Sequence, residues 1–237
     1  LSWTDPEPML VPDLADSWDV QFYGMPAFRY RDLYLGGLKR LWSTPDRIDT
    51  ELVFSRDSKR WGRTRQTFLP VGEKGAWDCA WVGLAASPPI ERDGQLWFYH
   101  EGRADAHGQR SPFPRGAIGL AILPKDRFAA LEAGATEGYV TTKPFLWQGG
   151  RLTINANVIG WGQVRAEVLD ESGNPIPGFA YRDAVPFQGN HPDWEVSWGE
   201  TASLDSLAGR TIRLRFHLVN ARLYALETRR VETERTK

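Results

Sequence analysis

One cysteine, Cys79, stands in the 237 residues. A single thiol builds no intrachain disulfide framework and no cysteine-based zinc cluster. No apolar run approaches the roughly 20 residues that a membrane-spanning helix needs. No basic, apolar, small-residue leader opens the sequence, so at this level the compartment stays open. Charge of one sign is lacking too. Lysine and arginine number 29 against 30 acidic residues, a net charge of −1. That balance offers no electrostatic case for nucleic acid or an anionic membrane as partner.

Turn formers and aromatics are what the chain has in quantity, with Gly 23, Pro 16 and Trp 11. Such a composition favours an all-β protein over a helical one. The length suits one large or two modest domains, each with a real core.

An internal repeat organises the first half. Short alternating apolar runs between Gly, Pro and Asp clusters mark antiparallel strands. Within a copy from Tyr23 to Pro70 they fall at Pro26-Ala27-Phe28, Leu33-Tyr34-Leu35 and Thr50 to Ser55. Pro26 answers Pro89 and Leu33 answers Leu96, both 63 residues on. Leu52 answers Ile118 and Trp61 answers Phe128, at separations of 66 and 67, a drift that one loop insertion produces. The first dozen residues read as the tail of a preceding copy, with Trp3 and Pro12 spaced as Trp61 and Pro70 are. A repeat of about 60 residues with four strands reads as blades of a β-propeller. Two blades and a tail do not close a ring. The expectation is a piece of a longer or split protein, with chains assembling to finish the ring as the alternative. Trp3, Trp61 and Trp97 read as core.

After Gly134 the texture changes. Arg151 to Val158, Gly162 to Asp170, Trp194 to Trp198 and Thr211 to Leu218 read as strands, and the last alternates strictly. One face on a core and one wet is the reading of that alternation, and strands at such spacing indicate a β-sandwich. Ser203 to Gly209 reads as one short helical turn ending on glycine. The expected division is a partial five-bladed propeller over 1–134, a β-sandwich over 135–228 and a charged tail over 229–237.

The working surface is expected in WDCAWVGLAASPPIERDGQLWFYHEGRADAH, Trp77 to His107. A β-prone run there stops on His100-Glu101-Gly102, with Asp105 and His107 in the following loop. Ionisable groups where strands hand over to loops are placed as binding and catalytic groups usually are. Trp and Tyr beside carboxylates suit a sugar, because aromatic faces stack on its C–H surface while carboxylates take its hydroxyls.

The segments YGMPAF, SRDSKRW, FLPVGEKGAWD, LWFYHEG, RGAIGLA, GGRLTINA, EVLDESGNPIPGF and LAGRTIRLRFHLVNARLYAL resemble the C-terminal part of proteins related to glycoside hydrolase families 32 and 43. The resemblance runs from about Trp3 to Leu226. It implies a five-bladed propeller followed by a β-sandwich, and an oligosaccharide at the propeller axis. In such proteins three acids meet at that axis. Where an acid often precedes a strand of the third blade, this chain reads Phe22-Tyr23-Gly24-Met25-Pro26, and the nearest acid is Asp19.

The candidate catalytic carboxylates are therefore Asp78, Glu101 and Asp19. The candidate sugar-binding residues are Tyr23, Trp18, Trp77, Trp81, His100 and His107. Each has a plainer reading. Asp78 can cap its own turn, Glu101 can be a solvated strand-end acid, and His107 can hold its loop. Tryptophans at blade repeats can be core plugs. His100, Glu101, Asp105 and His107 could ligate a metal by residue type, but their spacing matches no metal motif, and neither metal nor cofactor is expected. Asn155, Asn157 and His217 read as fold residues. Two functions are expected to compete: a glycosidase, which needs paired carboxylates, and a non-catalytic carbohydrate-binding or oligomer-assembly module.

Overall fold

A computed structural model describes residues 5–109 and 115–229. Trp3 and the charged tail beyond Arg229 lie outside those residues. The chain is all-β, and it divides into two compact units, Leu1–Leu123 and Pro124–Lys237.

The first unit contains the repeat as two meanders. In the first, β1 (Val20–Gly24) and β2 (Ala27–Tyr30) lie one after the other along β3 (Leu33–Trp42), which pairs with β4 (Arg47–Ser55) and through it with β5 (Trp61–Leu69). In the second, β6 (Trp81–Leu84) and β7 (Ile90–Arg92) lie along β8 (Gln95–Arg103), which pairs with β9 (Gly116–Pro124). Registers correspond: Val20↔Trp42 and Ala27↔Gly36 in one, Trp81↔Arg103 and Ile90↔Trp97 in the other. Both first strands break at proline, Pro26 and Pro88-Pro89, which has no N–H for the ladder. A single parallel pairing, Ile48↔Trp81, joins the meanders, with Leu41, Ile48 and Trp81 packed around it.

The copies part at their fourth strand. β5 covers β4, whereas β10 (Leu131–Ala133) belongs to the second unit and pairs there with β15 (Thr211–Arg229). Among the described residues the outer edge of β9 is unpaired, and Ile118, Leu120 and Ile122 are exposed along it. The division of the chain accordingly falls at Leu123/Pro124, before the change of texture at Gly134. Trp61 and Trp97 are half-buried and not core. The Trp61 ring N–H reaches the Ser58 carbonyl at 3.1 Å, and Arg92 lies over Trp97 at 5.1 Å, so polar neighbours hold both at the surface.

Charge is buried inside the first meander. Glu51 of β4 is 0% exposed. It accepts from Arg63 at 2.7 Å, from Arg40 at 3.4 Å and from the Arg65 N–H at 2.8 Å. Arg63 also grips Asp16 with both terminal nitrogens at 2.6 and 2.7 Å, tying the segment before β1 to β5. A buried carboxylate with this many donors is satisfied, and one stripped of them is costly.

The second unit is one six-stranded sheet. Its frame is two long strands, β13 (Arg151–Asp170) and β15 (Thr211–Arg229), flanked by β10, β11 (Gly138–Thr141), β12 (Phe145–Leu146) and β14 (Asn190–Glu195). The two runs expected over 151–158 and 162–170 are therefore one strand, interrupted by an irregularity between Val158 and Gln163. Gly162 permits that approach, since a Cβ there would lie 2.1 Å from the Val219 carbonyl oxygen. Alternate residues enter one core from Leu152 to Val158 and Val164 to Val168 of β13 and from Ile212 to Leu218 of β15, with Ala221 and Leu223 after a change of phase. Phe187, Trp198 and Leu204 from the connections belong to the same core. The expected helical turn is a single 3-10 turn, Asp205–Leu207.

Removing the charge at Glu51 with Glu51→Gln leaves Arg40 and Arg63 buried without their shared carboxylate. The loss expected in chemical denaturation is about 3–5 kcal/mol. Arg60→Ala, at a side chain 96% exposed in its pair with Asp57, is expected to cost under about 0.5 kcal/mol. Asp57 contributes to the pH dependence, beside other carboxyls that are also lowered. The backbone N–H groups of Arg60 and then Lys59 lower its carboxyl from 3.8 to about 2. Its stabilisation is complete above the unfolded value and is lost as pH falls through about 2. Asp57→Asn is expected to flatten the acid limb of the stability curve over that interval.

Candidate functional site

β8 carries the residues singled out from the sequence, and its burial alternates. Leu96, Phe98, His100 and Gly102 are buried, while Tyr99 and Arg103 are exposed and Glu101 is intermediate. Successive strand side chains leave on opposite sides. His100 and Glu101, adjacent in sequence, thus head two separate groups.

On the Glu101 side, Lys39 of β3 forms an ion pair with the carboxylate. The Trp81 ring N–H donates to the same oxygen at 3.3 Å. Gly83 stands opposite Glu101 in register. A Cβ there would lie 2.5 Å from Lys39 Cε and 3.0 Å from Glu101 Oε1, so the missing side chain makes room for the pair. Trp81 is 8% exposed. Arg103 lies over its ring at 4.8 Å, and Tyr23 meets it edge-on at 5.4 Å. His107 completes the group at 4.9 Å from Tyr23 and 5.6 Å from Trp81. The Asp46 carboxylate anchors this loop, accepting the Gly108 N–H at 2.9 Å with His107 Nδ1 at 4.0 Å. Tyr23, 51% exposed, is the ring of this group most open to a ligand.

Glu101 and Lys39 also line a cavity of about 670 Å³, with Pro26, Leu84, Tyr99, Ile118 and the His100 position of the same strand among its walls. Mostly apolar walls with a few polar groups are the usual make-up of a small-molecule pocket.

On the opposite side, Trp77 stacks on His100 with ring centres 5.6 Å apart and planes at 28°. The stack rests on glycines. A Cβ at Gly102 would lie 2.4 Å from the Trp77 ring, and one at Gly119 would lie 2.4 Å from His100 Nε2. Trp77 therefore packs flat on the backbone of β8 and β9. Asp78, in the connection between β5 and β6, turns toward Gly72 and Gly102. Its carbonyl accepts the Gly72 N–H at 3.2 Å.

Asp19 is placed by local bonds. The Ser17 hydroxyl donates to it at 2.6 Å, and its own carbonyl takes the Ser43 N–H at 2.9 Å. The Ser17 bond, helped by Thr44, holds the Asp19 carboxyl below its ordinary value. That direction suits an ionised turn anchor better than a proton donor. Trp18 is 89% exposed. Of the three candidate carboxylates, Glu101 alone lines the cavity.

Nor do the four potential metal ligands gather. His100 and Glu101 diverge across the sheet, and Asp105 is taken by Arg115, whose N–H bonds it at 2.8 Å. Among the described residues no three such side chains are placed to hold a metal ion. The sequence reading missed Lys39, Arg103 and Asp46. A signal existed for Lys39: it and Arg40 are the charges inside the otherwise apolar run LYLGGLKRLW.

No protein-family model matches the chain, and no curated protein matches it. Among solved structures, the family GH32 β-fructofuranosidase of Bombyx mori is similar over 95% of this chain and 69% of its own. The identity is 8% and the TM-score 0.28. This is a distant likeness, and no residue role is carried across on it.

Gly83→Val is expected to push Lys39 off Glu101 and to weaken the bond from the Trp81 indole. The readout is an upfield shift of that indole N–H in a proton–nitrogen NMR spectrum, with a stability loss of about 1–3 kcal/mol. Gly134→Ala, where a Cβ meets nothing within 4 Å, is the control expected to change neither.

Proposed function

We propose that the first unit binds a carbohydrate at the Tyr23–Trp81–Glu101–Lys39 surface and does not cleave it. One observation carries this reading: an exposed tyrosine packs edge-on against a buried tryptophan whose ring N–H donates to a carboxylate–ammonium pair, and that pair lines an apolar-walled cavity. A sugar ring offers an apolar C–H face and a rim of hydroxyls, and these groups answer both. Tyr23 supplies stacking surface, Glu101 accepts from hydroxyls, and Lys39 donates to them. The sequence resemblance points to the same class of ligand, an oligosaccharide.

Hydrolysis asks for more. It needs two carboxyl groups facing one glycosidic bond, about 5–9.5 Å apart. Among the described residues, Glu101 is the one acid lining the cavity, and an ion pair occupies it. Asp78 and Asp19 are not among the residues that line the cavity, and Asp19 takes the Ser17 hydroxyl. The binding class is therefore the better supported of the two expectations.

Isothermal titration against a panel of neutral oligosaccharides tests the reading. Binding is expected for at least one of them, weakened tenfold or more by Tyr23→Ala and by Lys39→Met, and unchanged by Trp18→Ala. Reducing-end release that disappears in Glu101→Gln would make the site hydrolytic. Absence of binding across the panel would sink the proposal.

A further inference from the structure

A second cluster of titratable groups lies in the other unit, where the sequence reading saw only fold residues. His217 of β15 is flanked in register by Tyr139 of β11 and Arg165 of β13. Its Nδ1 is 3.1 Å from Glu137 Oε1, and its Nε2 is 3.1 Å from Glu167 Oε1. Both ring nitrogens thus face carboxylate oxygens. A neutral imidazole has one N–H donor and one lone pair, whereas an ionised carboxylate only accepts. With His217 neutral, one of the two contacts would set lone pair against lone pair. Both bonds are satisfied only while the triad carries an additional proton, and the imidazolium is the form with two donors.

The neighbours indicate which contact yields. Glu167 is 4% exposed. It also takes Arg215 Nη1 at 3.1 Å and the Tyr181 N–H at 3.3 Å, so its carboxylate is held without His217. The Glu137 side chain is 42% exposed and can turn to water. Its other oxygen takes the Tyr181 hydroxyl at 3.3 Å. Arg165 sends its guanidinium to the Ala184 carbonyl at 2.7 Å and lies over the Tyr181 ring, while the Tyr139 ring lies 6.0 Å from His217. The cations near the triad are thus engaged with other acceptors or, for Arg215, with Glu167.

We propose that His217 is a proton-dependent clasp: protonated, it ties the Glu137 segment ahead of β11 to Glu167 of β13, and neutral, it releases Glu137 while keeping Glu167. The clasp is a pH-responsive device, separate from the carbohydrate surface and independent of that reading.

Two measurements on the full chain test it. Long-range proton–nitrogen NMR of the histidine ring gives the His217 titration directly, with both ring nitrogens protonated on the acid side and Nε2 retaining the proton on the basic side. Hydrogen exchange at residues 138–141 of β11, corrected for intrinsic base catalysis, is expected to lose protection across that same titration. The limit is about tenfold per pH unit for one linked proton. In His217→Gln and Glu137→Gln the corrected exchange is expected to be flat with pH. Retention of the proton on Nδ1, unchanged protection in the wild type through the titration, or the same loss in His217→Gln would each overturn the clasp. The wild-type NMR decides the matter even where a variant does not fold.

Discussion

Side chains leave a β-strand on alternate sides, and along β8 this period assigns neighbouring residues to different tasks. His100 turns to the glycine-lined face, where Trp77 lies across the backbone of two strands. Glu101 turns to the other, where Lys39, Trp81 and the cavity await it. A shift of one residue in the pairing of β8 with β6 would exchange the two sets, burying the carboxylate under an indole and exposing the histidine. The register Gly83↔Glu101 is therefore the constraint on which the candidate site depends.

The units use charge in opposite ways. In the first, Glu51, Arg40, Arg63 and Asp16 form an interior network whose members reach from the segment ahead of β1 to β5. Such a network adds little net stability over apolar packing, but it penalises any arrangement that leaves one member alone. In the second, an apolar core takes in much of β13 and β15, and the Glu137–His217–Glu167 cluster stands on other positions of the same sheet. The first unit thus ties its strands together through ions, while the second confines this acid–base cluster to a place where one proton alters a local contact without touching the core.

Strand positions were largely legible. The runs at Leu33, Thr50, Leu96, Ile118, Arg151 and Thr211 all fall in strands, because alternation and β-branched or aromatic content act between near neighbours. The repeat was legible for the same reason, and its prolines mark where each first strand breaks. The fate of the fourth strand was not. Leu131–Ala133 pairs with β15, a partner 92 residues away at Leu131↔Leu223, and nothing local to either segment announces that pairing. Trp61 and Trp97, expected in the core, were misread likewise. Trp81 is buried while Trp61 and Trp97 stay half-exposed, since burial depends on what packs above a ring and not on its place in a repeat.

By itself the sequence determined an all-β chain, its repeat, its change of texture and the presence of Glu101 near a strand end, all of which rest on composition and short-range pattern. Only the tertiary structure decided that Glu101, and not Asp19 or Asp78, lines the cavity, that Lys39 meets a carboxylate 62 residues away, and that His217 stands between two acids. Those outcomes depend on strand register and on which face of a sheet meets which. They are set by the summed packing of distant segments, which no local pattern encodes.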